Sequence, residues 1–148
     1  MNQTENAIAC YDGFSLNQLA LAKTDAVSEK RRLIEVLDDQ ARMGHDEFAA
    51  KLAATLRYRF LSHDALHACE ADFQTISYPE AVAHECLPFR DEAGLLCVAF
   101  CDPFDSVRQA WANEHLREPA LWVLVHRLTL LSMFAKYEAK ASAMDGLL

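Results

Sequence analysis

Glycine and proline are scarce, four of each in 148 residues, which excludes collagen-like, linker and low-complexity chains. No glycine is followed by lysine, so the phosphate-cradling G-x-x-x-x-G-K-[ST] loop is missing, and neither G-x-S-x-G nor G-x-G-x-x-G occurs. Long uninterrupted apolar runs are missing too. The longest apolar region, Pro119 to Ala135, carries His126 and Arg127 in its middle, and neither half could span a bilayer's hydrocarbon core. The opening Met-Asn-Gln-Thr-Glu-Asn has neither the basic start nor the apolar stretch of a secretory signal, so a soluble cytoplasmic domain without membrane insertion is expected. Five cysteines (Cys10, Cys69, Cys86, Cys97, Cys101) are an odd number with no C-x-x-C pair, which points to buried free thiols rather than a disulfide framework. Basic charge is in short supply: 14 Lys and Arg face 22 Asp and Glu, a formal charge of −8 that disfavours a nucleic-acid polymer as partner.

What is present is a composition 52% apolar and 24% charged, in a chain long enough for one core, divided at most into two lobes. The periodicity predicts an α+β fold, a small N-terminal helical lobe followed by a compact α/β lobe of order helix–β–β–α–β–α with a three-stranded sheet. Residues 1–27 read as an arm or short helix carrying Cys10, Tyr11, Phe14, Leu16, Leu19 and Leu21. Within the helical lobe, residues 28–74, Ser28 is an N-cap candidate for a helix through Leu33, Ile34, Leu37 and Ala41 to Met43, and Gly44 ends it in the left-handed conformation. Asp46 then caps a helix carrying Phe48, Leu52 and Leu56, and a short helix follows Ser62. The α/β lobe, residues 75–143, opens on Ser77-Tyr-Pro-Glu80, a capping box with proline in the first turn of a helix through Cys86. Cys86–Arg90 and Leu95–Cys101 make a hairpin, residues 120–125 a third strand, and helices occupy the stretch around Val107 to Leu116 and the stretch from Leu128 to Ala143. Residues 144–148 begin a linker.

Three side-chain groups have chemistry-bearing spacing. His63 and His67 lie one helical turn apart, as in metal-binding helices, but Asp64 stands where a metalloprotease carries glutamate and no third ligand follows; two histidines on a solvated helix face account for them. His84, Cys86, Cys97 and Cys101 would have to converge to hold a metal, whereas Cys97 and Cys101 share one face of an apolar strand, where a thiol acts as a small hydrophobe. Asp102 and Asp105 are either a carboxylate pair or a strand exit and helix cap, and the cap accounts for both. Charge is uneven: Lys30 to Arg59 nets +2, leaving −10 elsewhere. Basic side chains at helix ends can make a small anion site, and a solvated face of local ion pairs is the alternative.

Ile76-Ser-Tyr-Pro-Glu-Ala-Val-Ala-His-Glu-Cys-Leu-Pro-Phe and Gly94-Leu-Leu-Cys-Val-Ala-Phe-Cys-Asp-Pro-Phe-Asp105 resemble the N-terminal domain of type II secretion and type IV pilus assembly ATPases, the general secretion pathway protein E family. Pro79, Ala83, Leu87-Pro88, Val98-Ala99 and Asp102-Pro103 carry the resemblance, which covers about Asp46 to Tyr137. It implies a non-catalytic docking and regulatory domain that couples an attached or separate ATPase motor to the cytoplasmic domain of an inner-membrane secretion or pilus component. The location it implies is cytoplasmic, peripheral at the inner membrane through that partner. Some relatives bind cyclic di-GMP through segments that open with Arg-Leu-Gly and close with Leu-x3-Leu-x2-Gln. Leu33, Leu37 and Gln40 match a closing half, and with Arg31, Arg32 and Arg42 they form a candidate nucleotide or anion site. No Arg-Leu-Gly occurs, and its absence removes the close backbone approach that glycine permits. Docking with no cofactor is therefore the first expectation, cyclic di-GMP sensing the second.

Overall fold

The structure, a computed structural model, describes residues 13–147. Cys10, Tyr11 and the rest of the expected arm before Gly13 lie outside the described residues, as does Leu148. Among the described residues are seven helices and four strands, so the α+β class stands.

Helix α1, Leu16–Glu29, begins at Ser15, whose hydroxyl accepts from the Gln18 N–H at 3.1 Å while the Gln18 carboxamide accepts from the Ser15 N–H at 2.8 Å. Lys30, at φ 56°, turns the chain left-handed and ends it. Helix α2, Leu33–Ala41, follows directly and packs back on α1; α3 is His45–Leu56. The single helix expected from Ser28 to Met43 is thus broken. Ser28 sits in the last turn of α1, and Arg32, without a side-chain capping bond, is the residue that opens α2. Gly44 is not the left-handed residue either. Arg42 is, at φ 51°, and Gly44 (φ −59°) opens α3, its carbonyl accepting from the Phe48 N–H at 2.9 Å. Asp46 lies inside the first turn of α3, and its carboxylate accepts from the His63 N–H at 3.0 Å instead of capping α3.

Strand β1 is Arg59–Phe60, followed by α4, His63–His67, capped by Ser62, and α5, Tyr78–His84, capped by Ser77. Strands β2, Cys86–Arg90, and β3, Leu96–Phe100, form the expected antiparallel hairpin, in register from Cys86 with Phe100 to Arg90 with Leu96. Helix α6, Ser106–His115, leads to β4, Leu121–Leu124, and α7, Arg127–Leu147. No described helix is long and apolar enough to cross a membrane.

The sheet has four strands, not three, in the order β1-β4-β3-β2, with β1 and β3 both parallel to β4. The extra strand is two residues long, too short for any alternation to register, and comes from the stretch expected to be helical. Phe60 anchors it in the core, and the Leu61 N–H donates to the Leu124 carbonyl at 3.2 Å. One sheet face, through Phe60, Phe100 and Leu124, packs on Ala22, Leu37, Phe48 and Leu52 of the first three helices. The other, through Leu87, Ala99 and Val123, packs on Leu66, Leu130 and Met133. Full burial of each such leucine stabilises the fold by about 1.5–3 kcal/mol relative to exposure.

Candidate functional site at the junction of helix α2 and the sheet

Helix α2 carries Arg32 at its start and Glu35 and Asp38 within it. The three-residue spacing places all three on one face. Strands β3 and β4 are parallel, so the residues just after them, Asp102 and His126-Arg127, emerge side by side and meet that face. Arg32 donates to Asp102 Oδ2 at 2.7 and 3.2 Å and reaches both oxygens of Glu85 at 3.1 and 2.9 Å. Glu35 accepts from Arg127 at 3.0 Å, and Asp38 meets His126 Nε2 at 2.8 Å. Three ties therefore join segments 70, 92 and 88 residues apart in sequence.

Glu85 is the hub. It ends α5 in the left-handed conformation at φ 50°, its side chain only 13% exposed, and Arg108 and Arg127 approach the carboxylate that Arg32 also holds. Burial works against the charge of Arg32, yet its hydrogen bond to Asp102 and the field of that carboxylate win and raise its pKa above the ordinary value. Arg108 moves the other way, lowered by burial and by the nearby Arg32 and Arg127. Beneath the seam, burial pushes the Cys101 thiol up to about 12, so it stays protonated. His126 is 4% exposed; its Nδ1 accepts from the Leu128 N–H at 3.0 Å, which assigns the proton to Nε2, donating to Asp38, and His45 stacks on the ring at 4.2 Å.

The six candidate anion-site residues divide. Arg31, Leu37, Gln40 and Arg42 line one concavity of about 590 Å³ together with Phe14 and Gln18; Arg32 and Leu33 do not line it. Arg31 is paired with Asp39 at 2.6 Å and Glu29 at 3.5 Å, Gln40 donates to Asp25 at 2.6 Å, and Leu37 is almost wholly buried. Arg42 is exposed at the end of α2. Arg32 is instead engaged by Asp102 and Glu85, and Leu33 is half-buried at the start of α2.

The other groups separate as well. His63, exposed, and His67, half-buried, lie ring to ring at 4.3 Å with a 31° tilt and turn to Thr129 and Ser132 of α7 at 3.4 and 3.1 Å, so α7 backs a helix face that stays partly solvated. Burial, then His63 and Lys136, lower the pKa of His67. Cys86 is in register with Phe100 and so faces away from Cys97 and Cys101, while His84 stacks on Trp111 at 3.6 Å. Asp105 caps α6 by accepting from the Arg108 N–H at 3.2 Å. Asp102 closes its own turn on the Phe104 N–H at 3.0 Å and uses its other oxygen for Arg32. Sequence reasoning missed the part played by His126, whose only signal was a polar residue amid an apolar run, and that of Glu85, which carried none.

These features define a mixed α+β domain whose charged groups at the junction of α2 and the sheet pair with one another. Family comparison then places it: the MshEN domain matches residues 56–144, and the chain belongs to that family, the non-catalytic N-terminal domain of type II secretion and type IV pilus ATPases. No curated protein matches the sequence. Among solved structures, one of MshE with cdg (cyclic di-GMP) is similar, with a TM-score of 0.63 at 18% identity over 93% of this chain and 99% of that one, a likeness of fold.

Proposed function

We propose that the chain is a docking and regulatory domain, without catalysis of its own, that couples a secretion or pilus-assembly motor to the cytoplasmic domain of an inner-membrane partner. Family membership supports this reading, and the α2 seam carries it. Arg31, Arg32 and Arg127 are each neutralised by carboxylates of the same chain, so the seam offers an incoming anion no prepared charge. The Arg32–Asp102 and Arg127–Glu35 pairs fasten the α1–α2 pair to the sheet, as a domain that passes force between motor and anchor requires. The reading places the protein in the cytoplasm, held at the inner membrane by its partner. Gel filtration of the chain mixed with cytoplasmic domains of inner-membrane pilus and secretion components tests it. Co-elution with one of them is expected; separate elution from all of them contradicts it.

A specific observation favours a second reading, cyclic di-GMP sensing. Four of the six candidate residues surround one concavity, and the similar MshE structure holds that ligand. Against it, Glu29 and Asp39 both engage Arg31 there, which leaves Arg42, among the described residues, as the one unpaired cation lining the concavity, whereas the ligand brings two phosphates. A thermal-shift titration separates the two: the docking reading expects no change in Tm with cyclic di-GMP, the sensing reading a concentration-dependent rise.

A further inference from the structure

One end of the sheet face that α7 covers is open. Along β4 and just beyond it, Leu121, Val123 and Val125 alternate onto that face, and exposure falls from 39% to 3% to 1%. The cover fails at Leu121. In register beside it lie Cys97 and then Phe89, and Leu95, 56% exposed, stands two residues before Cys97. Phe89, Cys97 and Val123, themselves only 2–3% exposed, form the floor of a groove of about 630 Å³ walled by Leu61 and Cys69, and the exposed Leu121 and Leu95 lie just outside it. The rim is acidic. Glu70 and Glu92 pair with no cation among the described residues, and Asp91 accepts only from the N–H groups of its own turn. Arg90 is held by Asp72 and Glu118, which leaves Arg59 as the rim's other cation.

We propose that this groove is a docking site for a protein segment carrying apolar side chains flanked by lysine or arginine. The walls at Leu61, Ala65 and Cys69 supply the apolar contact area, and the exposed Leu121 and Leu95 extend it past the groove on both strands. The carboxylate rim sets the sign of the partner, since it repels nucleotides, acyl carboxylates and anionic lipid while attracting basic flanks. The inference rests on the docking reading above and locates its surface.

The test uses the full chain and a short, fluorescein-labelled amphipathic peptide of leucine and lysine, with a twin in which glutamate replaces lysine. Saturable anisotropy with the lysine peptide alone is expected, weakened about tenfold or more by Leu121→Lys and by Glu92→Lys. Val107→Lys, at an exposed apolar position on α6, leaves binding unchanged. Glu92 lies in an exposed turn, so that variant keeps the test valid should Leu121→Lys fail to fold. Alkylation of Cys69 by a maleimide slows when the peptide is bound. Absence of saturable binding, equal binding by Glu92→Lys, or equal capture of the glutamate twin overturns the proposal. A partner's cytoplasmic domain that binds wild-type chain and the two groove variants equally overturns the groove and leaves docking intact. Peptide binding that maps to the groove, with no partner domain binding, supports the groove and removes the docking reading.

Discussion

Arg32 is the side chain on which most of the junction converges. Its removal leaves Asp102, 8% exposed, and Glu85, 13% exposed, with less positive charge than their burial requires. Arg32→Met is expected to destabilise the protein by about 2 kcal/mol in urea unfolding, less than the ~3–5 kcal/mol of a fully buried pair because the guanidinium remains 31% exposed. Arg32→Lys recovers only part of this, since an ammonium cannot fork across two carboxylates. Two buried thiols give a second prediction. Burial pushes both Cys86 and Cys101 up to about 12, above the ordinary thiol value. The folded state therefore holds their protons more tightly than the unfolded chain does, and their contribution to stability is complete at neutral pH and is lost as pH rises from about 9 toward 12. Urea midpoints measured at pH 7, 9 and 10.5 are expected to fall across the upper interval; a flat profile contradicts the burial of these groups. Of this chemistry, the apolar setting of Cys97 and Cys101 was legible in the sequence. The Arg32 contacts were not, because their partners lie 53 and 70 residues away.

Helix ends were the least legible elements, for a stated reason. Four helices stop at left-handed residues that are not glycine: Lys30, Arg42, Arg57 and Glu85. With four glycines in the chain, the usual marker of a helix end is absent where the ends fall, and Gly44, which carries it, serves as an opening residue instead. Caps with side-chain chemistry, at Ser62, Ser77 and Asp105, were read where the structure has them, as was the β2–β3 hairpin. The left-handed positions also make a prediction. Arg57, exposed at φ 62°, bears the steric cost of a Cβ in that conformation, so Arg57→Gly is expected to stabilise the protein by about 0.5–1 kcal/mol, read as a higher urea midpoint. The same substitution at Glu85 should destabilise instead, because relief of strain there dissolves the hub that holds Arg32, Arg108 and Arg127.

For the whole molecule, the order of elements in the α/β lobe could be read from residues 75–143, and the resemblance to secretion and pilus ATPase N-terminal domains from residues 76–105, where the Asp102-Pro103 turn and the hairpin are local. The joining of α1 and α2 to the sheet could not, since it depends on β1, two residues long, and on ion pairs between distant segments. On the proposed reading the molecule is a fastened body that works through its surface. Calorimetry on a single preparation tests that most directly, with the cytoplasmic domain of an inner-membrane pilus or secretion component titrated into one aliquot and cyclic di-GMP into another. Saturable heat at one-to-one stoichiometry with the protein domain and none with the nucleotide is expected; saturable heat with the nucleotide and none with any such domain contradicts the docking reading.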